Sequence, residues 1–369
     1  MPGIDFSELD RRDLVLFKTA ITANYKFFAI AFVISFVISP ILIKIMPKLG
    51  YIDIPKDKRR IHKKAMPLGG GLAIFIAFLA TALYGLSLNR EYICLFIGSG
   101  LIVISGLIDD KLNLSPKKKL MFQILAGLTL IFGGVKINFF TNPFFAKDLI
   151  WLSYLSIPIT LFWIIGITNT VNLIDGLDGL AAGISMISAA SISFIAFAGG
   201  SFDQALMGAI LAGACLGFLP YNFNPAKIFM GDTGALFLGY VLSYISIQGF
   251  MKSATVLTIF VPVLILGVPV FDTTFAMIRR KLSGQSIMQA DKGHLHHRLL
   301  GLGLSQRQTV SILYIISMIF GILANLIADF NTQKGLLISA LIIIGIVLVA
   351  WASGMFKGPK ASDKSKEEE

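Results

Sequence analysis

Eleven apolar stretches, each near the length needed to cross a bilayer, constrain this chain more than any other feature. They fall at roughly 25–46, 69–88, 91–108, 118–135, 149–167, 179–198, 203–219, 233–250, 253–278, 308–328 and 334–353. About twenty apolar residues in a helix span the hydrocarbon. Inside lipid a spanning segment must satisfy its own backbone, which a helix does. Only 14% of the residues are charged, 55% are hydrophobic and the mean hydropathy is +0.78. A soluble domain carries about 25% charged residues, so a soluble fold is excluded. The expected fold is all-α: a polytopic integral membrane protein of about eleven transmembrane helices. The tightest connection is expected between 69–88 and 91–108. Pro262 and Pro269 are expected to kink the helix over 253–278. The first apolar run is long enough to span, so no cleavable signal peptide is expected. Cys94 and Cys215 sit inside apolar runs and read as small buried hydrophobes rather than a disulfide or metal pair.

An odd number of spans puts the termini on opposite sides, and the basic residues choose which. The loops after odd-numbered runs, with the C-terminal tail, hold most of the lysines and arginines. The opposite loops hold only Arg90, Lys136, Lys147, Lys252 and Lys334. By the positive-inside rule the first side is cytoplasmic and the N-terminus is outside. Residues 1–24 then form an extracytoplasmic tail and 25–353 a single transmembrane domain with five cytoplasmic loops. Residues 354–369, rich in lysine and ending in three glutamates, are expected to be a disordered cytoplasmic tail.

The polar motifs sort onto that same side. The first loop carries Asp53 through His62 and ends at Gly69-Gly-Gly71. The second opens at Asp109-Asp110. The third is Asn169-Thr-Val-Asn-Leu-Ile-Asp-Gly-Leu-Asp-Gly179. The fourth runs from Asn222 through Phe229 to Asp232, and the fifth carries Arg279-Arg280 and His294-Leu-His-His297. Ionisable groups at a membrane boundary are costly unless solvated or paired, and so suggest function. Each motif has an ordinary alternative. Asp178 or Asp232 could cap a helix, Asp109-Asp110 could be a solvated helix end, and the histidines a solvated basic helix. Adjacent helical residues point about 100° apart, so Asp109 and Asp110 are expected to divide their roles. The glycine triplet has no Gly-Lys-Ser/Thr after it, so it is not a phosphate loop; close helix packing is the better reading. The Lys/Arg run at 56–64 suits anionic lipid headgroups or a phosphate. Five carboxylates on one face suit a hard cation such as magnesium, which takes oxygen ligands. Spacing typical of zinc is absent. Carboxylates for a divalent cation, basic groups for phosphates and membrane walls together point to phosphoryl transfer onto a lipid phosphate. A lipid-linked-sugar flippase would need polar groups through the membrane midplane, where these runs are nearly free of charge.

The strings Asp-Asp at 109–110, Asn-x-x-Asn-x-x-Asp-Gly-x-Asp-Gly at 169–179, Phe-Met-Gly-Asp-x-Gly at 229–234 and His-x-His-His at 294–297 resemble the polyprenyl-phosphate N-acetylhexosamine-1-phosphate transferases. The resemblance extends from about residue 48 to 307, in that family's order. Leu295 interrupts the histidines, and Arg279-Arg280 precede them. Both features resemble the branch that initiates teichoic acid or O-antigen rather than the phospho-N-acetylmuramoyl-pentapeptide branch. The resemblance implies transfer of GlcNAc-1-phosphate from UDP-GlcNAc to undecaprenyl phosphate at the cytoplasmic membrane of a bacterium, with UMP released. It implies catalytic Asp109 and Asp110, and magnesium (or manganese) on Asp232, Asp175 and Asp178. It implies nucleotide contacts from Asn172, Asn222 and Phe229. Phosphate or sugar contacts fall to Asp53, Arg280, His294, His296 and His297, with Lys63 or Lys64 near the nucleotide. No nucleic-acid partner is expected. The small residues Gly208 and Ala212 could support a homodimer.

Overall fold

The computed structural model describes residues 11–54, 65–141, 149–249, 260–284, 293–328 and 332–352. Every apolar run contains helix. In chain order the helices are α1 (Arg11–Ile45), α2 (Gly71–Gly85), α3 (Arg90–Leu112), α4 (Pro116–Phe132), α5 (Ser156–Leu173), α6 (Leu180–Ala198) and α7 (Phe202–Asn222). Then follow α8 (Gly231–Gly249), α9 (Phe260–Ile265), α10 (Gly267–Leu282), α11 (Leu295–Gly301), α12 (Gln306–Ala328) and α13 (Thr332–Ala352). Among the described residues, six helical stretches are long and apolar enough to cross a membrane: Ile21–Leu49, Arg90–Leu112, Ser153–Leu173, Leu180–Ala198, Phe202–Asn222 and Gln306–Ala328. Gly71–Gly85 and Leu337–Trp351 are shorter apolar helices. The chain is an all-α, multi-pass membrane protein. Among the described residues the strands form two short antiparallel ribbons, β1 (Ile52–Asp53) with β2 (Met66–Pro67) and β3 (Phe139–Thr141) with β4 (Leu149–Trp151).

The bundle is built around α8. Every residue from Thr233 to Gln248 is buried, including Phe237, Tyr240 and Tyr244. Helices α2, α3, α5 and α6 pack on it, and α7 carries α1 on its outer side. Large apolar residues such as Phe162, Ile322 and Trp351 remain exposed, as a lipid-facing surface requires. The short α2–α3 turn works because Asn89, in an extended conformation, accepts a hydrogen bond from the Tyr92 amide (2.8 Å) and caps α3.

Three expectations change. Helix α1 already covers the residues from Arg11 on, so the part of the expected tail over 1–24 that the structure describes is helical. The expected kink over 253–278 is a full break between α9 and α10 at Leu266. Pro269 supplies no amide for the carbonyl four residues back and its ring crowds it. That carbonyl, Ile265 O, instead accepts from the Ser188 hydroxyl of α6 (3.1 Å). Finally, Gly208 and Ala212 are buried inside the bundle. A Cβ on Gly208 would sit 2.8 Å from Ala189 O and 3.0 Å from the Ser193 side chain. The face expected to support a dimer is spent on packing α7 against α6. Residues 56–64, with the basic run and Lys63 and Lys64, lie outside the described residues, as does the tail from 353.

Candidate active site

Close backbone packing at one end of α8 sets up the site. A Cβ on Gly71 would lie 2.2 Å from the Gly234 backbone, and one on Gly106 2.4 Å from Thr233 Cα. Helices α2 and α3 therefore touch the first turn of α8 directly, as only glycine allows. Backbone bonds extend this contact. Phe229 N donates to Pro67 O (2.9 Å), Gly70 N to Phe229 O (2.9 Å) and Gly71 N to Met230 O (3.0 Å). The glycine triplet thus clamps the Phe229–Asp232 segment against the β1–β2 ribbon.

The two adjacent aspartates of α3 diverge. Asp110 turns to the start of α8 and accepts from the amides of Asp232 (2.8 Å) and Thr233 (3.3 Å) and from the Thr233 hydroxyl (2.6 Å). It is the helix cap that Asp232 itself could have been. Its charge sits at the positive end of the α8 dipole, which offsets its poor placement at the C-terminus of α3. Asp109 accepts from the Leu114 amide (2.6 Å) and meets the Lys119 ammonium at 2.5 Å. Lys119 also holds Asp232 at 2.6 Å. One cation of α4 therefore bridges two carboxylates, from α3 and α8. Gln123, one turn further along α4, exchanges two side-chain hydrogen bonds with Asn169 of α5 (3.0 and 2.8 Å).

The third and fourth loops are stitched by their own polar side chains. Asp178 does not cap α6, whose N-cap is Gly179 with φ of +78°. It accepts instead from Asn224 Nδ2 (2.9 Å) and the Ala226 amide (3.1 Å). Asn222 accepts from the Gly179 amide (3.1 Å) and donates to Ile228 O (3.0 Å). Its amide thus joins the two loops.

These elements enclose a cavity of about 770 Å³. Of the residues singled out in the sequence, Asp53, Asp110, Asn172, Asp175, Asp178, Asn222, Phe229, Asp232 and His297 line it. They come from all five polar loops. Asp175 is only partly open to solvent. Withdrawal into the protein pushes its carboxyl up to about 8, and the charges of Asp232, Asp110 and Asp178 push in the same direction. Crowded carboxylates of this kind favour a cation among them. Among the described residues no three histidine, cysteine or acidic side chains close around one point as a complete ligand set. Magnesium, which takes one or two carboxylates and fills its remaining positions with water and substrate phosphate, fits such a carboxylate-rich wall.

The histidines separate. His297 faces the cavity. His294 is buried, its Nδ1 2.9 Å from Asp272 Oδ2, while the other Asp272 oxygen accepts from the Leu295 amide (2.7 Å). His296 is 2% exposed and its Nδ1 has no hydrogen-bond partner among the described residues. Burial, with the charges of His297 and His294, pushes it down to about 4. Its ring sits where a Cβ on Gly176 would be, 2.5 Å from Nε2, so the histidine segment is keyed onto the Asp175-Gly176 turn. Arg280, Asp109, His294 and His296 are buried and are not among the residues that line the cavity. Asp272 and Lys119 were missed in the sequence. Asp272 carried a visible signal, an acidic residue in an apolar run. Lys119 was masked by Lys117 and Lys118.

Residues 92–250 match the family model described as glycosyl transferase family 4. A probable undecaprenyl-phosphate N-acetylglucosaminyl 1-phosphate transferase of Bacillus subtilis (strain 168) is 43% identical, over 88% of this chain and 92% of its own. The chain belongs to glycosyl transferase family 4. A decaprenyl-phosphate N-acetylglucosaminephosphotransferase of Mycolicibacterium smegmatis is 34% identical, over 82% of this chain and 81% of its own. A phospho-N-acetylmuramoyl-pentapeptide-transferase of Shouchella clausii is 32% identical, over 80% and 94%. The family expected from the motifs is thus met. Of the three relatives, the enzyme named for undecaprenyl phosphate and N-acetylglucosamine is the most similar. The family 4 match runs from the start of α3 to the end of α8, and so contains the Asp109–Lys119–Asp232 bridge.

Proposed function

We propose that this chain transfers GlcNAc-1-phosphate from UDP-GlcNAc to undecaprenyl phosphate, giving undecaprenyl-diphospho-GlcNAc and UMP. The observation that carries this reading is one cavity, lined from five polar loops, in a membrane protein 43% identical to an enzyme named for that transfer. The proposed topology is eleven spans across a bacterial cytoplasmic membrane. The N-terminus is outside, the cavity and C-terminus are cytoplasmic, and the basic-residue bias supports that orientation. Residues 25–353 form one catalytic domain, with α1 extending upstream of it.

In the proposed site the Phe229 ring stacks on uracil, while Asn172 and Asn222 shape the nucleotide end of the cavity. Asp232 and Asp175, with Asp178 alongside, hold magnesium or manganese. Bound there, the metal neutralises charge on the donor diphosphate. Asp53 and His297 face the phosphates and sugar. Arg280, His294 and His296 act from behind, by fixing the segment that carries His297. The acceptor's phosphate oxygen attacks the β-phosphorus of UDP-GlcNAc. The new P–O bond forms as the bond from that phosphorus to the bridging oxygen breaks, and UMP leaves with the electron pair. One phosphoanhydride replaces another, so the chain's main tasks are positioning and charge neutralisation. Direct attack is favoured over an aspartyl-phosphate because Asp109 and Asp110 are both held by hydrogen bonds or an ion pair. Exchange of labelled UMP into UDP-GlcNAc by strictly lipid-free enzyme would overturn direct attack.

The test is transfer of label from UDP-GlcNAc to undecaprenyl phosphate with magnesium, run in parallel with UDP-MurNAc-pentapeptide. Product from the first donor alone is expected, and product from the second alone would refute the reading. Asp232→Asn is expected to lose turnover while the chain stays folded, its unfolding temperature changing by no more than the weakened contact with Lys119 accounts for. Full activity would remove Asp232 from the ligand set.

A further inference from the structure

A second cavity, of about 1010 Å³, lies between α3 and α4, far from the site. Arg90 opens α3 and Asp110 lies near its other end. At a rise of 1.5 Å per residue they are about 30 Å apart, roughly the thickness of the hydrocarbon. This groove therefore opens at the membrane face opposite the catalytic cavity. Its walls are the exposed side chains of Ile93 and Ile97 on α3 and of Leu125, Leu128 and Phe132 on α4. Its mouth is cationic. The Arg90 guanidinium lies 4.2 Å from the centre of the Phe132 ring, and Lys136, half-buried, follows the end of α4. Neither has an ion-pair partner among the described residues.

The loops of this face hold only Arg90, Lys136, Lys147, Lys252 and Lys334, and the two of them whose side chains the structure describes, Arg90 and Lys136, meet at one apolar groove. A half-buried ammonium without a counter-charge is costly, and an anion that brings its own apolar chain answers both needs. A soluble anion would satisfy the cations and leave the walls bare. A zwitterionic lipid would fill the walls but bring an ammonium of its own beside Arg90 and Lys136, which offsets the attraction of its phosphate. We infer that this groove holds one anionic phospholipid, with an acyl chain between α3 and α4 and its phosphate on Arg90 and Lys136. The lipid acceptor is a different ligand, because its phosphate must reach the catalytic cavity at the other end of α3. Both helices that form the groove also carry the Asp109–Lys119 pair, so the bound lipid braces the two helices that the site depends on.

The test uses the full chain in a mild detergent with equal amounts of phosphatidylglycerol and phosphatidylcholine of the same chain length, read by native mass spectrometry. One phosphatidylglycerol is expected to be retained at least tenfold better than phosphatidylcholine. Arg90→Gln with Lys136→Gln is expected to bring the two lipids to equal retention, and Lys136→Gln alone to weaken the preference. Ile97→Trp, which fills the groove without touching the charges, is expected to lower retention of both. Equal retention of the two lipids by the unaltered protein would overturn the inference. So would a preference that survives the double substitution, or a groove variant that loses a protein dimer in place of a lipid.

Discussion

Lys119 shows what a single side chain does here. Its ammonium lies between Asp109 and Asp232, where it holds α3, α4 and α8 in register. Lys119→Met would leave two facing carboxylates without a shared cation. Turnover is expected to fall by ~100-fold or more, the scale of losing one charge-stabilising group. Lys119→Arg, which keeps the charge with a different shape, is expected to recover part of it. Equal activity of all three forms under saturating magnesium would show the bridge to be dispensable. His296 gives a pH prediction of definite sign. Its pKa lies near 4 when folded, against an ordinary value of 6.5. Between those values the unfolded chain binds the extra proton, so stability falls as pH drops from about 6.5 toward 4. The shift corresponds to about 3 kcal/mol at most. The unfolding temperature of His296→Phe is expected to fall less steeply than that of the native chain across this window; parallel curves would rule His296 out as the cause. The residue types of the site were legible in the sequence, whereas their facing was not. In the run Lys117-Lys-Lys119 each residue turns about 100° from the last, and only Lys119 leaves solvent. The three histidines carry equal weight as letters, yet one lines the cavity, one binds Asp272 and one is packed on Gly176.

At the scale of the element, helices could be read from apolar runs because a bilayer imposes length and composition on them. Their breaks could be read less well. Pro262 and Pro269 signalled a disturbance over 253–278, but not where the carbonyl that Pro269 leaves free would find a partner. Ser188, on another helix, supplies it. The same limit applies to glycine. Gly100 and Gly106 both lie in α3, and nothing in their local sequence separates them. Gly106 faces Thr233 so closely that a methyl group would overlap its Cα, while Gly100 has nothing within 4 Å. Gly106→Ala is therefore expected to push α3 from α8, weaken the Asp110 cap and cost about 1–3 kcal/mol, with a large loss of turnover. Gly100→Ala is expected to be silent or slightly stabilising, since alanine favours helix. Thermal unfolding and initial rates of the pair check this, and similar behaviour of the two would contradict the packing of α3 on α8.

For the whole molecule, the sorting of polar residues is what made a site legible before any geometry. Five loops far apart in sequence could converge only if they left the membrane on one side, and side chains from all five line one cavity. The same logic gives the proposed topology a direct test. Ser87, in the turn between α2 and α3, and Ser305, in the turn between α11 and α12, are both exposed. Ser87 neighbours Arg90, at the end of α3 away from the cavity, whereas Ser305 neighbours the cavity residue Gln306. The two native cysteines, Cys94 and Cys215, are buried, but Cys94 also lines the groove beside Arg90, so labelling is read in a Cys94→Ala background, which an impermeant maleimide should leave unlabelled. With the active site facing the cytoplasm, Ser87→Cys is expected to label in intact cells. Ser305→Cys is expected to label only in inverted vesicles or after permeabilisation. The reverse pattern would turn the protein over and place its nucleotide site away from the UDP-sugar pool. Labelling of both positions from one side would be more damaging, because Ser87 and Ser305 would then share a face and the bundle could not separate the groove at Arg90 from the cavity at Asp232.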